Sequence, residues 1–397
     1  MDVSKIRIVT PAVTNTRINA KIRPMFKEMK SYDKALYSAA ETAIAQSLKV
    51  RKDERVCIVT NPLEDVYQIS AALYDACLDL GAQPVLLVQP VKSQLDFAAK
   101  EVIGAIGSGP DVFISISAEK IGKDEEAQKN PYTHESKSFD HVFDYLIDGK
   151  KTLRAFWSPS VTKEIFIQSV PIDYEVLKRR SLAIKKVMDE AVELRVTSPR
   201  GTDCSIGIRG RRGQMDNGDY SSPGDGGNLP AGETFISPAN GTTSGTIVFD
   251  GSISLYQGEI IIKEPIVVKV ENGFAVSMEG GREADQLRAT LEKSSATARE
   301  FEKQGKLKEG LGEVYAKNAW NIGELGIGLN PKATVIGNML QDEKVFKTCH
   351  IAIGSNYDDD ANALTHLDGL IHNPTITAVF EDGSEAVIMK NGELETD

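Results

Sequence analysis

The sequence predicts an α/β first part, built on a doubly wound parallel sheet, followed by an α+β second part in which most strands are antiparallel. In the first half, short apolar runs alternate with segments of helical periodicity, which is typical of parallel strands joined by helices. From residue 193 onward, Gly and Asp-Gly turns separate short strands, which indicates antiparallel sheets. We therefore divide the chain into an α/β domain, residues 1–192, and a β-rich domain, residues 193–397.

The elements of the first domain follow one another with short connections. Residues 1–31 are interpreted as a lead-in, and a helical period covers residues 31–48. The predicted strands cover residues 56–60, 84–88, 111–116 and 153–157. The predicted helices cover residues 66–80, 93–105 and 173–192, and the polar residues 118–151 are interpreted as a surface insertion. Alternation of strands and helices with such short links favours parallel pairing.

The second domain is predicted to consist mainly of hairpins. The first hairpin joins residues 194–198 to residues 202–208. Further strands are predicted at residues 245–249, 252–256, 260–263 and 265–270. One long amphipathic helix, residues 283–304, interrupts the strands, and a hairpin over residues 376–389 ends the chain.

The composition and the motifs argue against several classes of partner. With 46 basic and 57 acidic residues the net charge is −11, which disfavours binding to nucleic acid or to an anionic membrane surface. No apolar run approaches the ~20 residues of a spanning helix. The first strand is followed by Asn61-Pro62-Leu63, where a dinucleotide-binding fold would carry Gly-x-Gly-x-x-Gly.

The four cysteines are scattered along the chain and form no Cys-x-x-Cys pair. The N-terminal residues are charged and lack the apolar core of a signal peptide. Together these features predict reduced thiols in a cytoplasmic protein.

Two histidines and an aspartate near the end of the chain have the spacing of metal ligands. His366 and Asp368 are two residues apart, so both side chains would project to the same face of a strand. His350 precedes the alternating apolar run Ile351-Ala352-Ile353, which predicts a neighbouring strand. Imidazole and carboxylate ligands together suit zinc, cobalt, manganese or ferrous iron. By itself the pair also fits a surface strand with an ordinary ion pair.

Two isolated glutamates lie in apolar, glycine-rich frames of the second domain. Glu233 follows Pro230-Ala231-Gly232, and Glu324 lies within Ile322-Gly-Glu-Leu-Gly-Ile-Gly328. A buried carboxylate costs several kcal/mol unless it is paired or bound to a metal. Both glutamates are therefore candidate ligands, and the alternative is that each is a solvated residue at a turn.

Four motifs occur in one order along the second domain: Asn228-Leu-Pro-Ala-Gly-Glu-Thr-Phe235, Asn321-Ile-Gly-Glu-Leu-Gly-Ile-Gly328, His350-Ile-Ala-Ile-Gly-Ser-Asn-Tyr357 and His366-Leu-Asp368. Together they resemble the aminopeptidase S and aminopeptidase T family of metallo-aminopeptidases. The resemblance implies an α/β domain, a β-rich metal domain and a homodimer. It also implies two divalent ions per chain (zinc, cobalt or manganese), with Glu324 as the bridge between them. The implied ligands are Glu233, Glu324, Glu343, His350, His366 and Asp368.

The activity that this resemblance implies is hydrolysis of the N-terminal residue of short peptides that carry a free amine. Glu324 or Glu343 would take the proton of a metal-activated water, and Tyr357 would stabilise the oxyanion. Glu343 fits the family less closely, because it lies seven residues before His350. On this expectation the chain is a cytoplasmic hydrolase and metalloprotease.

Two other functions stay open from the sequence. His350, His366 and Asp368 also form the two-His-one-carboxylate set of non-haem iron oxygenases, and a ring-cleaving dioxygenase for dihydroxypyridine is distantly similar to the same family. The extra carboxylates Glu233 and Glu324 favour the hydrolase. The third possibility is an inactive relative, in which the acidic loop of residues 358–365 blocks the site.

Overall fold

The computed structural model describes residues 32–93 and 95–395, so the predicted lead-in lies outside the described residues. A five-stranded sheet forms the first layer, and all of its pairs are parallel. From one edge to the other its strands are β10 (Gly226–Asn228), β6 (Arg154–Pro159), β3 (Val112–Ser117), β1 (Arg55–Thr60) and β2 (Gln83–Val88). The predicted doubly wound parallel sheet is confirmed, and its edge strand β10 comes from the second half of the chain.

Both faces of this sheet are covered, which explains why its strands are apolar without alternation. On β1, Val56 and Ile58 join one hydrophobic core, while Cys57 and Val59 join another on the opposite face. The described residues of this half contain seven helices: α1 (Lys34–Thr42), α2 (Glu64–Asp79), α3 (Lys100–Gly107), α4 (Glu125–Lys129), α5 (Val142–Asp144), α6 (Lys163–Ser169) and α7 (Tyr174–Glu190). The last of them, α7, packs against the sheets of the second half. Single π-helical turns extend α1 and α5, over Ala43–Ser47 and Tyr145–Gly149.

Two segments of the first part differ from the sequence prediction. The helix predicted from residue 93 begins only at Lys100, because the preceding residues run alongside another loop through the bridges of Lys92 to Lys120 and Phe97 to Lys123. The polar segment 118–151 is not a solvated insertion. It contains α4, α5 and the small hairpin of β4 (Tyr132–His134) and β5 (Lys137–Phe139), and its apolar residues enter the second core.

The second part consists of two antiparallel sheets, as predicted. The eight-stranded sheet contains, in spatial order, β16 (Phe274–Glu279), β15 (Ile266–Glu271), β12 (Ser244–Phe249), β8 (Asp203–Gly207), β7 (Glu193–Thr197), β20 (Thr375–Val379), β21 (Glu385–Lys390) and β22 (Glu393–Leu394). The seven-stranded sheet contains β14 (Gly258–Ile261), β13 (Ser252–Leu255), β19 (His366–His372), β18 (Thr348–Gly354), β17 (Ile322–Gly328), β11 (Glu233–Ile236) and β9 (Gln214–Asp216).

Three helices accompany these sheets: α8 (Arg282–Lys303), α9 (Leu311–Asn318) and α10 (Met339–Asp342). The long amphipathic helix was predicted, whereas α9 was not. Within the described ranges, no helix combines the length and the apolar character that a membrane crossing requires. The boundary between residues 192 and 193, the homodimer and the cytoplasmic location stay predictions.

A buried arginine joins the start of β6 to the residue just before β1. Arg154, at the start of β6, donates to both carboxylate oxygens of Glu54 at 3.1 and 2.7 Å and to the carbonyl of Leu48 at 2.9 Å. Arg154 is buried, and the Glu54 side chain is mostly buried. Removing one member of such a pair leaves a buried charge without compensation.

We expect Arg154→Met to lower the free energy of unfolding by about 3 kcal/mol, because the mostly buried Glu54 carboxylate would lose its cationic partner. Arg195→Met is the matched control, since Arg195 is half-exposed and pairs with the half-exposed Glu385. The control should lose less than about 1 kcal/mol. Urea unfolding of both variants measures the difference, and equal losses would contradict the structural role of Arg154.

Candidate metal centre

Four adjacent strands of the seven-stranded sheet bring together the ligands predicted from the sequence. Glu233 begins β11, Glu324 lies on β17, His350 lies on β18, and both His366 and Asp368 lie on β19. These strands are neighbours in the order β19, β18, β17 and β11. Segments far apart in sequence therefore meet at one place.

The register of the strands places these side chains on one face. Across β17, β18 and β19, Glu324 is opposite Ala352, and Ala352 is opposite Asp368. On the same strands, His350 is opposite Gly326. Directly opposed residues of antiparallel strands project to the same side, and residues two apart on a strand do so as well.

Gly326 provides the space that the imidazole of His350 occupies. A Cβ atom added to Gly326 would lie 2.0 Å from Nε2 of His350. A side chain at this position would therefore push the imidazole out of place. This steric requirement explains the glycine at position 326.

Glu324 joins the two imidazoles. Its Oε1 lies 3.4 Å from Nε2 of His350, and its Oε2 lies 2.9 Å from Nε2 of His366. On either side, Oδ1 of Asp368 lies 3.3 Å from Nε2 of His366, and Oε2 of Glu233 lies 3.3 Å from Nε2 of His350. Two groups of three ligands thus form, each with its ligand atoms within 4.8 Å of one another: Glu233, Glu324 and His350, and Glu324, His366 and Asp368.

Several of these atoms are oriented as ligands and not as hydrogen-bonding partners. Among the described residues, Oε2 of Glu233, Nε2 of His366 and Oδ1 of Asp368 are buried without a hydrogen-bond partner, although the first lies close to His350 and the other two lie close to each other. Nδ1 of His366 lies 2.8 Å from the carbonyl of Ser355, so Nδ1–H donates there and the lone pair stays on Nε2. Imidazole nitrogens and carboxylate oxygens in this arrangement fit a divalent metal ion.

The electrostatics of the face also favour a cation. Burial lowers the pKa of His350, but the hydrogen bond and charge of Glu324 outweigh burial and raise this pKa to about 9. Burial likewise lowers the pKa of His366, and Asp368 and Glu324 raise it well above its usual value. Burial raises the pKa of Asp368, but the His366 imidazole brings it down to about 2. Positive charge is thus stabilised at both imidazoles, where a metal ion would take the place of the protons.

A buried lysine that the sequence analysis did not identify lies beside these ligands. Lys344 is fully buried, and its Nζ lies 2.6 Å from Oε1 of Glu233 and 3.3 Å from Oδ2 of Asp216. It also donates a hydrogen bond to Glu343. Burial lowers the pKa of Lys344, but the charges of Glu233, Glu343 and Asp216 outweigh burial and keep the ammonium protonated. Lys344 belongs to a charged run that resembles a surface turn, so the sequence offered no signal for its burial.

Glu343 is directed toward this lysine, and it belongs to neither ligand group of the described residues. Burial raises the pKa of Glu343 to about 8, and Lys344 opposes this effect while Glu233 and Asp368 add to it. The ionised carboxylate is therefore a stronger base than an ordinary glutamate.

Tyr357 stands beside the metal ligands. Its ring centroid lies 5.1 Å from that of His366 and 5.1 Å from that of Phe235. Burial raises the pKa of the phenol, and the nearby carboxylates Glu324 and Asp368 raise it further. The residue keeps 53% of its surface exposed. The phenol is therefore a hydrogen-bond donor at neutral pH.

A cavity of about 750 Å³ opens on this centre, with Asp368, Glu343 and Tyr357 on its wall. The first part of the chain contributes Lys120 and Ser160 to the same wall. Apolar and aromatic side chains complete it: Leu95, Leu255, Tyr256, Met339 and Leu340. Most of the other residues on the wall are polar or charged, so the cavity suits a small molecule that itself carries polar groups.

The acidic loop after Tyr357 is held away from the cavity by Arg211. This guanidinium lies 2.8 Å from Asp360 and 3.7 Å from Asp358. Asp360 also accepts a hydrogen bond from Asn356 at 2.6 Å. Neither aspartate lines the cavity, so these contacts give no support to an inactive relative with a blocked site.

Comparison with known proteins relates the chain to a ring-cleaving enzyme. The family model of NicX, 2,5-dihydroxypyridine 5,6-dioxygenase, matches residues 160–354, just under half of the chain. The 2,5-dihydroxypyridine 5,6-dioxygenase of Pseudomonas putida is 28% identical over 125 residues. That match covers 32% of this chain and 35% of the relative, about a third of its length.

Solved structures show the same fold. The 2,5-dihydroxypyridine dioxygenase of Pseudomonas putida KT2440 superposes with a TM-score of 0.67 at 17% identity, covering 91% of this chain and 97% of that one. Wild-type AmpT of Thermus thermophilus, a thermophilic aminopeptidase, gives a TM-score of 0.62 at 19% identity, covering 93% of this chain and all of that one. The expected relationship to aminopeptidase T therefore holds for the fold.

The prediction of a peptide hydrolase is wrong, because the matching family model and the curated relative are dioxygenases. The hydrolase and protease assignments are withdrawn with it. The segments around Glu233, Glu324 and His350 lie inside the range that the dioxygenase model matches. These motifs therefore belong to a fold that the two kinds of enzyme share, and they do not distinguish between the reactions.

We expect Gly326→Ala to weaken binding of ferrous or manganous ion at least about tenfold, because the added methyl group would displace the His350 imidazole. Gly104→Ala is the matched control, since a Cβ at Gly104 would meet nothing within 4 Å. Titration calorimetry of both variants gives the affinities. Unchanged affinity in folded Gly326→Ala would show that His350 has no role in metal binding.

Proposed function

We propose that this protein is a non-haem iron dioxygenase that opens a dihydroxylated pyridine ring. The observation that carries the proposal is the set of two imidazoles joined by Glu324 and completed by Asp368, at the wall of a cavity of about 750 Å³. The similarity to 2,5-dihydroxypyridine dioxygenases supports the same chemistry. A short peptide as substrate belonged to the hydrolase expectation and is not carried forward.

The side chains that would hold the iron are Glu324, His366 and Asp368, with His350 at the second oxygen of Glu324. This set contains the sequence-predicted triad and adds Glu324 between its two imidazoles. When bound, ferrous iron supplies the activation of O₂ and Lewis acidity toward an aromatic hydroxyl group. The hydrogen bond from Nδ1 of His366 to the Ser355 carbonyl keeps Nε2 free for this role.

Two further residues would act on the substrate itself. Glu343 lies on the cavity wall, and its raised pKa makes the ionised carboxylate a stronger base than an ordinary one, so in that form it would accept the proton of a ring hydroxyl group as the substrate binds. Tyr357 would donate a hydrogen bond to a ring oxygen, since its phenol stays protonated. Apolar neighbours such as Leu340 and Tyr256 would hold the flat ring and limit access of water.

The proposed reaction is balanced without another reductant. Both atoms of O₂ enter the product, one bond of the ring is broken, and the ring-opened product has the composition of the substrate plus O₂. The two electron pairs that O₂ requires are the σ pair and the π pair of the ring double bond that is broken. Oxygen consumption should therefore match substrate consumption one to one.

We expect the iron-loaded protein to consume O₂ with 2,5-dihydroxypyridine, and His366→Ala to reduce the rate by at least about 100-fold, because a ligand of the iron is lost. His372→Ala is the matched control on the same strand, since His372 pairs with Asp250 away from the ligands. An oxygen electrode, with the absorbance of the substrate, measures both rates. Equal rates for the two variants, or no turnover of any dihydroxypyridine by the parent protein, would refute the proposal.

A further inference from the structure

We infer that Lys344 is a built-in cation that takes the role of a second metal ion and restricts the centre to one metal ion per chain. The inference rests on the metal centre of the proposed function and adds to it the residue that sets its stoichiometry. One metal ion per chain differs from the two ions that the sequence resemblance implied.

The first argument is the place of the ammonium group. Lys344 is fully buried, and its Nζ lies 2.6 Å from Glu233 and 3.3 Å from Asp216, with Glu343 as a third carboxylate partner. A lysine is found in such a place only when its charge is compensated. Conversely, three buried carboxylates around one point need positive charge, and here the protein supplies that charge itself.

The second argument is that Glu233 contacts the Lys344 ammonium and also belongs to the ligand group of Glu233, Glu324 and His350. Its Oε1 binds Lys344, while its Oε2 faces Nε2 of His350 at 3.3 Å. A divalent ion at the group of Glu233, Glu324 and His350 would therefore share a carboxylate with an ammonium group. Like charges that close repel, and the repulsion is large in a buried site. Lys344 thus disfavours this group as a metal position.

The third argument is the charge of the other ligand group, which consists of Glu324, His366 and Asp368. Glu324 and Asp368 together carry two negative charges, which one divalent ion neutralises. Neither of them touches Lys344 in the ion pairs of the described residues. The group of Glu324, His366 and Asp368 is therefore complete for one ion, and a second ion would add positive charge where the lysine already provides it.

The test counts metal ions, so it needs neither substrate nor O₂. The parent protein and its variants are saturated with Mn²⁺, freed of excess ion by gel filtration, and analysed by elemental mass spectrometry and electron paramagnetic resonance. We expect one Mn²⁺ per chain in the parent, with the six-line signal of an isolated ion. Lys344→Met, which removes the charge and keeps the length, should bind two ions that couple magnetically.

A double variant and a single variant are the controls. The double variant Lys344→Met with Glu233→Gln should bind one ion. It lacks the Glu233 carboxylate, which the single variant Lys344→Met would make available to a second ion. Glu233→Gln alone should keep one ion with affinity within about threefold of the parent, since the ion does not use Glu233. Circular dichroism and thermal unfolding check that each variant is folded.

Two ions in the parent protein, or one ion in folded Lys344→Met, would overturn the inference. If Lys344→Met does not fold, the Glu233→Gln variant tests the inference. Loss of the single Mn²⁺ ion from that variant would mean that Glu233 is one of its ligands, which contradicts the inference. These results are independent of the proposed reaction. One ion per chain without ring cleavage would remove the proposed function and leave the role of Lys344 intact.

Discussion

The structure depends on one electrostatic constraint: a single face of an antiparallel sheet buries carboxylates and imidazoles that require positive charge. Asp216, Glu233, Glu324 and Asp368 are all buried on neighbouring strands of this sheet. Without compensation, such a face would cost more free energy than a domain of ordinary stability can supply. Lys344 provides part of the compensation from within the fold, and the two groups of candidate metal ligands are where a cation would provide the rest. The same face is lined by small residues, which leave room for the ligands.

Part of this centre could be predicted from local sequence patterns. The two-residue periodicity of a strand was enough to place His366 and Asp368 on one face, and the glycine-rich frame identified Glu324 as buried. The apolar runs of the first half likewise predicted the parallel sheet. These predictions succeeded because each depends on residues that are close together in the sequence.

The rest depends on contacts between distant segments, which a single sequence does not encode in a visible pattern. Lys344 lies 111 residues from Glu233, and its own neighbours are charged, so nothing local indicates burial. The late start of α3 follows from bridges to another loop, which override the helical periodicity. The reaction was misassigned for a related reason: a dioxygenase and an aminopeptidase share this fold, and local motifs did not distinguish between them.

The connection between the two parts of the chain shows how the position of the cavity relative to the metal centre is determined. Strand β10 is the edge of the parallel sheet, and only four residues separate its end, Asn228, from Glu233. Asn228 lines the cavity and also donates a hydrogen bond to the carbonyl of Trp157 in β6, at 3.0 Å. The segment that positions a ligand is therefore fixed to the sheet that forms the opposite wall. Because the two walls share this short connection, the distance between the cavity and the candidate metal ligands is set by strand pairing and not by a flexible loop.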